Sequence, residues 1–336
     1  MNVSPHVVIV DSHLDPYRDS FAQERAAWEA TGATVTLAAC RTEDELIAAG
    51  QDADALVYVG LHTPFTARVL ANLPRCRVVA RFGIGMDSVD LDAATTHGIV
   101  VANAAEYCVP EVAAHAAAQI LALARRIVPL DRWVRDGHWP GGQVAVATQR
   151  LSMQTLGIVG LGRIGRSLAT YLRPIMGTIL ACDPYIDPRD ADGVQLVSLE
   201  EVLAASDFVS VHTPLTPETR GMIGAAQLAR MKPTAFLVNT SRGPVVDEPA
   251  LIAALQAGSI AGAALDVFVE EPPAADSPLR AMDQVLLTPH AAYYSQQSIK
   301  DLRVAVADTV AAVLRDEWPL NILNPGVTPR VALHRR

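Results

Sequence analysis

The chain is poor in cysteine and in aromatic side chains, and no strongly basic segment occurs in it. Four cysteines, Cys40, Cys76, Cys108 and Cys182, are scattered through 336 residues without a CxxC pair. That spacing suits neither a disulfide framework nor a zinc site, and it fits buried free thiols in a reducing compartment. The formal net charge is -9, and the basic stretches Arg125-Arg126 and Arg335-Arg336 are only two residues long. Binding a phosphate backbone needs clustered Lys and Arg, so nucleic acid is not an expected partner. The longest apolar stretch, 112–130, is interrupted by His115, Arg125 and Arg126 and reads as a buried helix, not a membrane span. The opening residues MNVSPHVVIVD lack a basic n-region and read as a first strand, not a signal peptide. A soluble, cytoplasmic protein without a structural metal is the expectation.

What the chain has in quantity is short apolar runs. Half of its residues are hydrophobic, and its length exceeds what one core usually supports, so two domains are expected. Runs rich in Val, Ile and Ala fall at 6–10, 55–59, 77–80, 98–101, 155–159, 178–182, 208–212, 235–239, 262–266 and 284–288. Separated by helix-like stretches, they imply βαβ units and parallel sheets covered on both faces. An Ala-rich helix is predicted over about 110–128 and another over 295–314. The expected organisation is a discontinuous first domain, 1–103 plus 299–336, and a second domain, 104–298.

The run 155–159 opens onto GLGRIG, with glycines at 160, 162 and 165. Gly160 would permit a tight turn, Gly162 would let the backbone approach a pyrophosphate, and Gly165 would let helix and strand pack closely. The N–H groups of Arg163 and Ile164 would face the anion at a helix N-terminus. A dinucleotide site also needs an acidic residue about 20 positions further on. Asp183, closing the run TILACD, stands there. It would accept hydrogen bonds from the adenosine ribose and repel a 2′-phosphate, which favours NAD over NADP; Arg189 nearby is the residue that could soften that preference.

Several longer motifs, in order, carry a resemblance. ARFGIGMDSVDLDAATTHGI, GLGRIG, SDFVSVHTPLTPETRGMIG, MKPTAFLVNTSRGPVVDEPALIAAL, AGAALDVFVEEPP and LLTPHAAYYS resemble the D-isomer-specific 2-hydroxyacid dehydrogenases, nearest the branch of C-terminal binding proteins and phosphoglycerate dehydrogenase-like enzymes. The resemblance implies a flavodoxin-like substrate domain and a Rossmann NAD domain with a cleft between them. It implies an NAD-dependent interconversion of a 2-oxo acid and a D-2-hydroxy acid. Arg242 would grip the substrate carboxylate and polarise the C2 oxygen, His290 would be the acid/base, and Glu271 would pair with His290. Glu270 is the rival carboxylate, and the register before Pro272 selects Glu271. The backbone of Ile84 and Gly85 would hold the substrate carboxylate, with Asp87 and Asp90 structural; Ile84 stands where phosphite-oxidising relatives carry Lys. Thr213, Pro214, Thr240 and Asp266 would meet the cofactor, Asp266 at the nicotinamide carboxamide. His115 reads as structural.

Tyr107, Trp139, Tyr293 and Tyr294 are candidates to line a pocket. Arg81 is a candidate for a phosphorylated substrate, and equally a structural residue. The small residues of the 110–128 helix exceed what one core needs, and the resemblance implies a homodimer through the NAD domain. An NAD(H)-sensing, corepressor-like binding protein with little turnover is the alternative from another class.

Overall fold

The structure, a computed structural model, describes residues 4–11, 21–60, 63–139 and 148–335. The chain divides into two compact units, one formed by Met1–Tyr107 with Ser295–Arg336 and the other by Cys108–Tyr294.

The first unit is built on five strands: β1 (His6–Asp11), β2 (Thr34–Ala39), β3 (Ala55–Tyr58), β4 (Val78–Arg81) and β5 (Val100–Ala102). They are all parallel, in the order β2-β1-β3-β4-β5, the flavodoxin-like arrangement. Strand side chains alternate between faces. Val7 and Ile9 of β1 therefore enter one core with Trp28, Leu302 and Val306, while Val8 and Val10 enter the other with Leu46, Leu56 and Phe65. The helix Gln296–Leu314 is capped by Ser295, whose hydroxyl accepts from Ser298 N–H at 2.8 Å. It supplies Leu302, Val306 and Val310 to the first of these cores.

The second unit holds β6 (Thr155–Val159), β7 (Thr178–Cys182), β8 (Gln195–Leu196), β9 (Phe208–Val211), β10 (Phe236–Asn239), β11 (Gly262–Leu265) and β12 (Val285–Leu287). Their order is β12-β11-β10-β9-β6-β7-β8, again all parallel. The chain winds outward from β6 through β7 and β8, then returns to its other side at β9. That reversal makes the β6/β9 boundary the switch point at which doubly wound sheets bind ligands.

All ten apolar runs of the sequence become strands. Two strands had no such run. β2, TVTLAA, is an edge strand with alternating exposed positions, and β8 is a two-residue edge. The helix expected over 110–128 is in fact two, Val109–Ala124 and Ile127–Arg135, separated by Arg126 in the left-handed conformation at φ 53°. Pro129 explains the break. Inside a continuous helix its ring would clash with the Arg125 carbonyl, and it has no N–H to donate. Most small residues of Val109–Ala124 are spent within the unit: Ala113, Ala116, Ala117 and Ala124 pack with Leu168, Ala169 and Leu172 of the helix Arg163–Leu172. No helix among the described residues is long and apolar enough to cross a membrane.

Candidate active site

Three loops leave the C-terminal ends of the adjacent strands β10, β11 and β12, and each carries one member of the expected trio. Arg242 follows β10 by three residues, Glu271 follows β11 by six, and His290 follows β12 by three. His290 Nδ1 lies 2.6 Å from Glu271 Oε2, while Glu271 Oε1 accepts the Phe268 N–H at 3.0 Å. Burial pushes the Glu271 carboxyl up, but the hydrogen bond and charge of His290, the Phe268 N–H and the Arg242 charge together hold it below its ordinary value. It is therefore the ionised partner of the pair at neutral pH. Glu270 is exposed; Glu271 is the carboxylate that reaches the imidazole.

The Arg242 loop is shaped by its own neighbours. Asn239 Oδ1 accepts from Ser241 N–H at 3.0 Å and from its hydroxyl at 2.8 Å, and Asn239 Nδ2 donates to the Arg242 carbonyl at 2.9 Å. Gly243 then lies so close to the chain at Phe268-Val269 that a Cβ would overlap the Phe268 carbonyl. This contact joins the Arg242 loop to the Glu271 loop. Neither Asn239 nor Gly243 was marked by the sequence, although both lie inside the quoted motif NTSRGPVVDE.

His290 has φ 50°, unusual for a residue with a Cβ. Asp266, fully buried, holds the turn there. Its carbonyl accepts the His290 N–H at 2.8 Å. Its Oδ1 accepts from Ala291 N–H at 3.0 Å and Thr288 Oγ1 at 2.5 Å, and its Oδ2 from Ala292 N–H at 2.9 Å. His115, on the helix Val109–Ala124, lies 3.0 Å from Thr288 Oγ1. The Tyr293 ring stands edge-on to His290 at 6.4 Å between centroids, and Tyr294 and Trp139 are largely exposed.

At the switch point the three glycines have different surroundings. Gly160, at φ 95°, packs against the chain at His212-Thr213, where a Cβ would come within 2.9 Å of the His212 carbonyl. A Cβ on Gly165 would overlap the Gly160 carbonyl, whereas one on Gly162 would meet nothing within 4 Å among the described residues. The helix Arg163–Leu172 starts directly after Gly162. The N–H groups of Arg163 and Ile164 precede its first internal bond, Arg166 N–H to Gly162 O at 3.0 Å. Asp183 Oδ2 accepts the Leu161 N–H at 2.8 Å and Oδ1 the Tyr185 N–H at 2.9 Å, which fixes the carboxylate beside the turn. Arg189 is engaged by Asp187, Nη2 to Oδ2 at 2.8 Å. Thr213 Oγ1 is 3.8 Å from Met222 Sδ, and the Pro214 carbonyl accepts from the Thr219 hydroxyl at 2.6 Å. Thr240 Oγ1 is buried with no hydrogen-bond partner among the described residues. Open space over Gly162, a helix N-terminus and an orphaned hydroxyl at the strand ends fit a dinucleotide.

The turn at 83–87 belongs to the first unit. The Ile84 carbonyl accepts from Asn103 Nδ2 at 2.7 Å. Carbonyl and N–H point in opposite directions across a trans peptide, so this bond also aims the Gly85 N–H. Asp90 caps the helix Leu91–Thr96 through Ala93 N–H at 2.9 Å. Arg81 is 5% exposed. Its Nη1 donates to the Val59 and Gly60 carbonyls at 2.6 and 2.7 Å, and its guanidinium lies 4.7 Å from the Tyr58 ring centroid. Of its two readings, the structural one describes these contacts. Tyr107 packs against the core of the first unit.

A doubly wound parallel sheet with a glycine turn at its switch point and a carboxylate–imidazole pair at its strand ends defines the class of nucleotide-dependent oxidoreductases. The family model for the NAD binding domain of D-isomer specific 2-hydroxyacid dehydrogenases matches residues 117–292. The chain is 44% identical over 287 residues to a glyoxylate reductase of Korarchaeum cryptofilum, covering 82% of this chain and 84% of that one. It is 40% identical over 84% of its length to D-3-phosphoglycerate dehydrogenase of Mycobacterium tuberculosis, of which it spans only 53%. Among solved structures, D-lactate dehydrogenase of Aquifex aeolicus with NAD and lactic acid matches at TM-score 0.83 and 28% identity, over 95% of this chain and 99% of that one. The chain belongs to the D-isomer specific 2-hydroxyacid dehydrogenase family. It is an NAD-dependent dehydrogenase, and its cofactor is NAD.

Proposed function

We propose that the protein interconverts a 2-oxo acid and the corresponding D-2-hydroxy acid, with His290 as acid/base, Glu271 as its partner and Arg242 as the carboxylate grip. The observation that carries the reading is the 2.6 Å contact between His290 Nδ1 and Glu271 Oε2. With Nδ1 engaged by the carboxylate, Nε2 is the nitrogen left to exchange a proton with the substrate oxygen. Glu271 holds the ring by Nδ1, and the protonated ring is the form that donates to a carbonyl. NAD, when bound, supplies or accepts the hydride at C2. The planar guanidinium of Arg242 offers paired donors to a carboxylate and a positive charge near the developing alkoxide. The backbone N–H groups of Ile84 and Gly85 are the proposed donors on the first unit, with Asn103 setting the direction of the Gly85 N–H.

For the cofactor, Gly160, Gly162 and Gly165 would shape the turn, and the N–H groups of Arg163 and Ile164 would take the pyrophosphate. Asp183 would take the ribose, Thr213, Pro214 and Thr240 would flank the dinucleotide, and Asp266 would lie at the carboxamide. The engagement of Arg189 by Asp187 supports a preference for NAD over NADP. Arg81, spent on main-chain carbonyls, favours an unphosphorylated acid. We also propose a homodimer through the NAD domain, where Ile127 and Val134 stand 53% exposed on one short helix; sedimentation near twice the 35.8 kDa chain mass is expected.

The test follows NADH absorbance against a panel of 2-oxo acids, with His290→Ala alongside. Turnover of at least one acid, reduced about 100-fold or more in the variant, is the expected result. Tight NADH binding with no turnover across the panel would overturn the reading in favour of an NADH-sensing protein.

A further inference from the structure

A half-buried polar cluster beside the His290 turn takes no part in the mechanism. His115 and Gln119 lie four residues apart on the helix Val109–Ala124, so they share a face. Both reach Thr288, two residues before His290. His115 Nε2 is 3.0 Å from Thr288 Oγ1, Gln119 Nε2 is 3.2 Å from the same oxygen, and the two nitrogens are 3.2 Å apart. His115 Nε2 is also 3.7 Å from Asp266 Oδ1.

A hydroxyl has a single proton. At 2.5 Å from Asp266 Oδ1, an acceptor when ionised, the Thr288 proton is committed to that carboxylate. Thr288 Oγ1 is then left to accept from the helix: from the Gln119 amide and, in the tautomer that carries its proton on Nε2, from the His115 ring. Asp266 in turn holds the N–H groups of Ala291 and Ala292 and, through its carbonyl, that of His290. A continuous path of hydrogen bonds thus runs from His115 through Thr288 and Asp266 to the main chain on either side of the His290 Cα. That Cα sits at φ 50°, a conformation that persists only where surroundings impose it.

We propose that His115 is a positioning residue for His290: through Thr288 and Asp266 it holds the turn that aims the imidazole, without touching substrate or cofactor. The kinetic part of this inference rests on the dehydrogenase reading above. The structural part does not.

The experiment compares wild type with His115→Ala and His115→Gln, the latter able to present an amide N–H at similar reach. Hydrogen exchange read by mass spectrometry on the peptide 288–294 tests the path without any turnover. His115→Ala is expected to speed exchange there about tenfold and to leave 155–159 in β6 unchanged, with His115→Gln close to wild type. In turnover, His115→Ala is expected to lower kcat about tenfold, as a slightly misaimed group does. KM for NADH should stay within about twofold, and the primary isotope effect with deuterated NADH should rise as chemistry becomes more limiting, while His115→Gln restores most of kcat.

Unchanged exchange at 288–294 in His115→Ala overturns the proposal, as does acceleration spread equally over β6. Faster local exchange with wild-type kcat overturns it too, because the turn would then be loosened without consequence for His290. If wild type reduces no 2-oxo acid, the dehydrogenase reading fails, and the exchange comparison still decides whether His115 holds the turn.

Discussion

Glu271 does two things with one carboxylate. Oε2 meets the His290 ring, and Oε1 takes the Phe268 N–H, so the side chain cannot swing away from the imidazole without losing a second bond. Glu271→Gln keeps the shape and removes the charge. The variant is expected to lose about 10- to 100-fold in kcat, with KM for NADH little changed, a smaller loss than removal of the imidazole itself. His212 Nε2 is 2.8 Å from the Ser210 hydroxyl. Burial pushes its imidazole from 6.5 down to about 4. Between those values the unfolded chain binds a proton that the folded one refuses, so stability falls as pH drops through this window, by about 1.4 kcal/mol per pH unit at most. Urea midpoints measured between pH 7 and 4 should show that slope, and His212→Asn should flatten it. Residues of this kind were unequally legible in the sequence. Arg242, Glu271 and His290 stood out because their motifs are contiguous. The tie from His115 to Thr288 was not legible, because it spans 173 residues and depends on a helix and a strand end meeting in space.

At the scale of elements, the site is an arrangement of strand ends. Neighbouring strands lie about 4.8 Å apart, so loops leaving β10, β11 and β12 can converge on one small molecule if they also touch each other. Gly243 is where two of them touch. Gly243→Ala would push a methyl group into the Phe268 carbonyl and separate the Arg242 and Glu271 loops. A loss of about 1–3 kcal/mol of stability is expected, accompanied by a drop in kcat/KM; unchanged kinetics at unchanged Tm would show that the loops do not depend on this contact. The elements were legible where burial is two-sided. Interior strands such as β3, ALVY, and β9, FVSV, are buried at every position, so each announces itself as an apolar run. β2 does not, because its alternating exposure dilutes the signal. The break at Arg126 was written in Pro129 but masked by the apolar residues around it.

For the whole molecule, folding and ligand binding make separable demands on the glycine turn. Gly160 and Gly165 are pressed against main chain, while Gly162 faces open space at φ -68°. Gly162→Val is therefore expected to fold with a near wild-type Tm in the absence of NADH yet to lose the Tm rise that saturating NADH gives wild type, where ligand at 100 times its Kd is worth about 2.7 kcal/mol. Thermal melts with and without NADH check this directly. The same asymmetry bears on descent. A lineage that abandoned its redox chemistry but kept the protein as a scaffold would still be selected for glycine at 160 and 165, since the strand–helix junction cannot close otherwise. At 162 no neighbour among the described residues requires glycine, so only the proposed contact with the dinucleotide would keep it there. That position should drift first, and a side chain there would mark the descendants that no longer carry the coenzyme.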